Sequence, residues 1–220
     1  MAKYVKKYWG RMFFALLLVP AAAGFLLVLI NCIRGFSLSY LPFVLGIAAY
    51  TLVYPVFKKP LLSYVVGHEL THVIGIWLFR GRIFGFKATR YGGTVKTNMS
   101  NVWIALLPYF FPIYSMLVLS LYFLFSILWD LSRFFNIVVF LLGITWAFHL
   151  WMSAYILRQN QPDIKESGII FSSVVVFTVN VIILSLFLVF ISPDITIKEF
   201  LRQSFLEVQG CYLWMLRHLI

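Results

Sequence analysis

The chain has 220 residues, of which 62% are hydrophobic and 11% are charged, and its formal net charge is +11. This composition excludes an ordinary soluble globular domain, in which about a quarter of the residues are charged. The excess of Lys and Arg does not indicate nucleic acid, because basic residues that flank apolar spans meet anionic lipid head groups. We therefore expect an integral, multi-pass membrane protein whose partner is the lipid bilayer, with no nucleic acid bound.

Apolar runs of about 20 residues, the length that crosses a bilayer, recur along the chain. Six spans are predicted, at about residues 12–33, 37–57, 61–79, 102–129, 134–157 and 169–191. Pro108 and Pro112 interrupt the fourth span and should kink or unwind its helix where it lines a cavity or meets another helix. The tail at about 195–218 has apolar residues at helical spacing opposite charged ones, which predicts an amphipathic helix on the membrane surface or against a partner.

The third predicted span carries the sequence His68-Glu69-Leu70-Thr71-His72. On a helix, residues i and i+4 lie one turn apart on the same face, so His68 and His72 can ligate one zinc ion. Glu69 can take a proton from a water at that ion, which is the H-E-x-x-H arrangement of zinc metalloproteases. An ionisable side chain within an apolar span also indicates function, since it is costly unless it is paired or hydrated. The alternative is that the histidines satisfy each other or a neighbouring helix.

Residues 80–98 differ from the spans in composition, because they include five Lys or Arg residues and four glycines. Strand-forming residues at 83–86 and 94–97 lie on either side of Tyr91-Gly92-Gly93, which predicts a β-hairpin. Two interpretations of the hairpin stay open. It is either a solvated basic loop or an edge strand that holds an extended peptide by strand addition.

A catalytic zinc site usually has three protein ligands and one open position. The longer pattern H-E-x-x-H-x-x-G-x-x-H fails here because a leucine stands in place of its third histidine. No acidic residue lies between Glu69 and Asp130, and Asp130 itself lies in a short turn. Acidic, Cys and His residues at the span ends and in the tail are also set aside. His149, Asp163 and Glu166 remain as candidates for the third ligand.

Between about residues 61 and 171 the chain resembles the site-2 protease family of intramembrane zinc metallopeptidases, in a short form without a PDZ domain. The resemblance rests on the His-Glu-Leu-Thr-His sequence within a span and on the Gly-Gly hairpin that follows it. It also rests on the segment Asn-Val-Trp-Ile-Ala-Leu-Leu-Pro at 101–108 and on a late Asp-containing element, Gln-Pro-Asp-Ile at 161–164.

The family's late element is a Leu-Asp-Gly sequence whose Asp is the third zinc ligand, and this sequence is absent here. Its nearest counterpart implies that Asp163 completes the site, with His149 as the rival and Glu166 as a more distant one. The resemblance thus implies Zn²⁺ held by His68, His72 and Asp163, with Glu69 as the catalytic general base. It implies substrate contacts at a further set of positions: Gly92, Gly93, Asn101 and Pro108.

The fold expected from the spans and the resemblance is an all-α polytopic membrane protein with a small β-hairpin after the zinc-binding helix. We expect a single metalloprotease-like domain over residues 1–220, with its core at about 61–191. The resemblance implies a zinc metalloendopeptidase of a prokaryotic cytoplasmic membrane, acting on membrane-anchored protein substrates in regulated intramembrane proteolysis. The membrane orientation stays open, because the two sides collect similar numbers of Lys and Arg.

Two other functions stay open from the sequence. A non-catalytic membrane scaffold could retain the protease fold, although an intact Glu69 disfavours this interpretation. An ion-coupled transporter usually has several buried charges on different helices and two related halves. Here there is one cluster of ionisable residues and no internal repeat, so the transporter is the less favoured alternative.

Overall fold

The computed structural model describes residues 2–35, 37–159 and 161–219, and the side chains of 9–218 within those ranges. The predicted 1–220 domain therefore extends by residues 1 and 220 beyond the described part. The described chain is mostly α-helical and contains a small two-stranded antiparallel sheet. This confirms the helical fold class and the β-hairpin.

The helices and strands follow one another in the order α1 (Ala2–Arg34), α2 (Leu41–Val53), α3 (Leu61–Leu78), β1 (Ile83–Thr89), β2 (Gly92–Thr97), α4 (Val102–Phe110), α5 (Ile113–Ser126), α6 (Phe135–Leu157), α7 (Pro162–Ser167), α8 (Ile169–Ile191) and α9 (Ile197–Leu219). They form two compact units. The first unit comprises residues 1–40 and 165–220, with α1, α8 and α9. The second comprises residues 41–164, with α2 to α6, the hairpin and the start of α7.

Four of the described helices are long and apolar enough to cross a membrane: Trp9–Arg34, Leu61–Leu78, Ser132–Leu157 and Ile169–Ile191. A fifth span is present if α4 and α5, which are bent by 73° at a short break, count as one. These helices are compatible with an integral membrane protein, but six spans are not confirmed. The second predicted span contains the shorter apolar helix Leu38–Val53, which is a 3-10 turn at Leu38–Tyr40 followed by the 13 residues of α2, and this is shorter than the roughly 20 residues that a span requires.

The bend in the fourth predicted span occurs at only one of its two prolines. Pro108 lies inside α4, whereas Phe111 is extended at φ −94° and ψ 103° and Pro112 precedes α5. A proline disfavours helical backbone in the residue before it, so the chain leaves the helix at Phe111. The predicted break is therefore located at residues 111–112.

Within the second unit, two glycines allow close contact between α2 and α6. A Cβ on Gly46 would overlap the carbonyl oxygen of Phe140, and a Cβ on Gly143 would overlap that of Phe43. Small residues let the backbones of membrane helices approach each other closely. This contact places α6, which carries His149, firmly against α2.

The hairpin packs on α3, the helix that carries the His-Glu-Leu-Thr-His sequence. Arg80 has a left-handed φ of 60° and redirects the chain from the end of α3 towards β1. β1 then pairs with β2 from Ile83 opposite Thr97 to Thr89 opposite Gly92, with an irregularity after Ile83. The hairpin thus brings Gly93, in the first part of β2, back to Glu69 in the middle of α3.

In the first unit, α9 occupies the place of the predicted amphipathic helix and packs along α1. The Tyr212 hydroxyl donates a hydrogen bond to the carbonyl of Leu17 at 2.5 Å. Phe200 and Ser204 are buried, whereas Leu201 and Phe205 are exposed. The described residues therefore leave part of the apolar face of α9 exposed.

Candidate metal centre

Two histidines of α3 and one aspartate of α7 converge in the second unit. His68 Nε2 lies 3.6 Å and His72 Nε2 lies 3.7 Å from the same oxygen, Asp163 Oδ2. These separations are too long for hydrogen bonds. They are close to the roughly 3.3–3.6 Å between ligand atoms that surround a tetrahedral ion at about 2.0–2.2 Å. His68, His72 and Asp163 could therefore hold one metal ion.

Local sequence places each of the three side chains. The one-turn spacing of His68 and His72 puts their rings edge-on, with centroids 4.9 Å apart. Asp163 lies in the first turn of α7, directly after Pro162, which is well suited to a first helical position. The two imidazoles are 9% and 14% exposed and the carboxylate 28%, so the group is largely shielded from solvent but reachable.

The orientation of His72 is set by the first turn of α4. His72 Nδ1 lies 2.9 Å from the carbonyl oxygen of Ile104, which can only accept a hydrogen bond, so Nδ1 carries the proton. Nε2, the nitrogen that faces Asp163, then keeps its lone pair for a metal. Asn101 in turn fixes Ile104, because its Oδ1 accepts a hydrogen bond from the Ile104 amide at 2.9 Å.

Asp163 also has a partner of its own, the hydroxyl of Tyr109, which donates to Oδ2 at 3.2 Å. Burial acts to raise the pKa of the Asp163 carboxyl, but the adjacent His68 and His72 imidazoles outweigh it and lower that pKa below its usual value. Asp163 is therefore ionised at neutral pH. An ionised carboxylate has only acceptor oxygens, as a metal ligand must.

Glu69 lies beside this group and against the hairpin. Its side chain is buried, and a Cβ built on Gly93 would lie 2.6 Å from both Cδ and Oε1 of Glu69. Only a glycine allows β2 to approach the carboxylate this closely. The general base predicted from the sequence thus contacts the glycine turn predicted from the sequence.

The other two candidates for the third ligand lie apart from the group. His149 is buried in α6, where its ring centroid is 5.8 Å from that of Trp146. It lines a small cavity together with His68 and is not among the described residues that could share the ion. Glu166 has an exposed side chain, and its backbone carbonyl accepts a hydrogen bond from Arg11. Asp163 is thus the candidate that the structure brings to the two histidines.

The four positions predicted to bind substrate have different surroundings. Gly93 adjoins Glu69, and Gly92 begins β2 with a left-handed φ of 144°. Asn101 caps α4, and Pro108 is buried at the edge of the cavity beside His68. Substrate binding at these four positions remains a prediction.

The structure adds two groups that the sequence analysis did not single out, the Tyr109 hydroxyl and the Ile104 carbonyl. The only sequence signal for Tyr109 is a phenol next to Pro108 in an otherwise apolar run. A backbone carbonyl leaves no signal in the sequence. Both groups belong to α4, so this short helix is hydrogen-bonded to two of the three candidate ligands.

An open, mainly apolar groove lies between α3 and β1. It is lined by Leu70, Val73, Trp77, Gly81, Arg82, Ile83, Phe84 and Phe86. β1 pairs with β2 along one edge, and the described residues place no strand along its other edge. The groove thus combines apolar side chains with an unpaired strand edge.

The fold and site together define a mostly helical protein, compatible with an integral membrane protein, with a His-His-Asp group that could hold a metal ion. No family model, curated protein or solved structure gives a significant match to this chain.

Proposed function

We propose that this chain is an intramembrane zinc metalloendopeptidase of the site-2 protease type, a multi-pass protein of a prokaryotic cytoplasmic membrane. Its substrates are membrane-anchored proteins, which it cuts in regulated intramembrane proteolysis. The observation that carries the proposal is the proximity of Asp163 Oδ2 to Nε2 of both His68 and His72. Two imidazoles and one carboxylate are a donor set of catalytic zinc sites, and Glu69 lies on the same helix.

The chemistry assigns a separate role to each residue. Zinc, when bound, supplies Lewis-acid polarisation of the scissile carbonyl and of the attacking water. Glu69 takes the proton from that water and passes it to the nitrogen of the leaving amine. His72 is held for its role by Ile104, and the contact with Gly93 keeps Glu69 in place.

The groove beside β1 supports an extended apolar peptide as substrate. A transmembrane helix hides its peptide bonds in internal hydrogen bonds, so a substrate must be unwound before it is cut. An unwound segment can pair with the unpaired edge of β1 while its side chains occupy apolar pockets. Near the end of β1, Ala88 pairs with Gly93 of β2, and Gly93 adjoins Glu69. A peptide paired along β1 would therefore run towards Glu69.

The proposal is tested by measuring zinc content and cleavage of a model transmembrane substrate on the same purified samples. The variants are Glu69→Gln and, as a matched control on an exposed glutamate, Glu166→Gln. We expect near-stoichiometric zinc in the wild type and both variants, with cleavage lost only in Glu69→Gln.

Two results would contradict the proposal. A wild-type protein that takes up no zinc under metal-replete conditions would favour the non-catalytic scaffold. Cleavage that survives in Glu69→Gln would exclude Glu69 as the general base.

A further inference from the structure

The hydroxyl of Tyr109 donates to the same oxygen that lies next to both histidines. It is 3.2 Å from Asp163 Oδ2, which is 3.6 Å from His68 Nε2 and 3.7 Å from His72 Nε2. We propose that Tyr109 is a positioning residue of the metal centre, which holds Asp163 Oδ2 towards the two imidazoles. This inference rests on the proposed metal site and does not require the site to be catalytic.

The Asp163 carboxylate needs such a partner because rotation about the last bond of its side chain costs little energy. The final bond of an aspartate side chain has a broad energy profile, so either oxygen can turn towards a ligand position. An ionised carboxylate can only accept hydrogen bonds, so the Tyr109 hydroxyl is the donor in this contact. The hydrogen bond therefore fixes both the rotation of the Asp163 carboxylate and the oxygen that meets the metal.

Tyr109 is itself held rigidly. It is 1% exposed, and its ring meets that of His68 edge-on, with centroids 5.2 Å apart and planes at 83°. A buried tyrosine with two side-chain torsions loses little further freedom when its hydroxyl binds a partner. The hydroxyl is thus presented to Asp163 from a fixed point.

The position of Tyr109 in α4 connects the three candidate ligands. The Ile104 carbonyl, at the start of α4, accepts from His72 Nδ1, and the Tyr109 hydroxyl, at its end, donates to Asp163. The ring of Tyr109 packs on His68. Groups that hydrogen-bond to metal ligands typically change metal affinity by 10–100-fold when they are removed.

The test compares Tyr109→Phe with the wild type in detergent. The substitution keeps the ring and removes the hydroxyl. Zinc affinity is measured by competition with a chromophoric chelator, and the visible spectrum of the Co²⁺-loaded protein reports the ligand geometry. We expect a loss of zinc affinity of about 10–100-fold and a shifted Co²⁺ spectrum.

Tyr114→Phe is the matched control. Its hydroxyl also donates to a backbone carbonyl, that of Ser63 at 2.5 Å, and among the described hydrogen bonds it makes none to His68, His72 or Asp163. We expect wild-type zinc affinity and a wild-type Co²⁺ spectrum.

Two outcomes would overturn the role of Tyr109. One is unchanged zinc affinity in Tyr109→Phe. The other is weakened affinity with an unchanged Co²⁺ spectrum and an equal loss in Tyr114→Phe, which would indicate a general packing effect.

These results also separate this inference from the proposed function. A wild-type protein without zinc overturns both. Zinc binding that depends on Tyr109 in a protein that cleaves no substrate overturns only the protease proposal.

Discussion

Gly93 of β2 faces the carboxylate of Glu69 so closely that a Cβ at position 93 would lie 2.6 Å from Glu69 Oε1. A real Cβ atom does not approach a non-bonded atom this closely, so one of the two groups would have to move. The contact with Glu69 explains why position 93 of the strand is a glycine. The turn before β2 does not by itself require a glycine there. The contact also means that the hairpin and α3 meet at the predicted general base.

Gly93→Ala should therefore displace Glu69 without changing the candidate ligands His68, His72 and Asp163. We expect unchanged zinc content and a fall in kcat of about 100-fold, since a shift of about 1 Å in a catalytic group has an effect of this size. Gly85→Ala in β1 is the control, because its Cβ would meet Lys96 Cδ at an ordinary 3.5 Å. Wild-type kcat in Gly93→Ala would show that Glu69 does not depend on this contact.

The third ligand is identified by zinc content in two alanine variants. Asp163→Ala should lose bound zinc, because it removes the oxygen that lies next to both Nε2 atoms. His149→Ala should retain zinc near one ion per chain and lose only stability, by about 1–3 kcal/mol, because a buried side chain is truncated. Metal analysis of the purified proteins, with thermal unfolding in parallel, checks both. The opposite pattern would make His149 the ligand.

Asn101 should act through the helix cap of α4. Asn101→Ala removes the acceptor of the Ile104 amide and should cost about 1 kcal/mol of stability. Because the Ile104 carbonyl orients His72, we also expect lower zinc affinity. Asn101→Ser keeps a good cap and should behave like the wild type in thermal unfolding and chelator competition. If Asn101→Ser retains zinc and stability but loses cleavage, Asn101 binds substrate directly, as the family resemblance implies.

Zinc affinity should fall steeply in mild acid. Zinc requires neutral imidazoles, so once the pH is low enough to protonate both His68 and His72, two protons compete with one ion and affinity falls about 100-fold per pH unit. The pKa of Asp163 lies below its usual value, so its carboxylate is already ionised throughout this range and adds no further proton.

Chelator competition between pH 7.5 and 5, corrected for protonation of the chelator, measures that slope. A His68→Ala variant that still binds measurably should show a slope near one instead of two. A wild-type slope of three would show that the Asp163 carboxyl also takes up a proton in this range.

Several features of this protein followed from the sequence because they are local. The spacing of His68 and His72 places them on one face of any helix, and the residues around Gly92 favour a hairpin whatever surrounds them. The length and apolar composition of residues 169–191 predicted α8 with its observed ends. The prediction of six spans needed more than local information. A run of apolar residues at 37–57 does not reveal that only Leu41–Val53 becomes an α-helix.

Other features were decided only by the tertiary structure. Asp163 lies 91 residues after His72. Elimination along the sequence left Asp163, His149 and Glu166 as candidates for the third ligand, and the family resemblance then favoured Asp163. Folding brings the aspartate to the histidines, and the same folding places Tyr109 on its carboxylate and Gly93 on Glu69. Such contacts depend on how α4, α7 and the hairpin pack around α3, and no pattern within a single segment encodes them. The sequence by itself determined which ionisable residues share one face of α3, and the packing of distant elements decided which residues join them in the candidate metal centre.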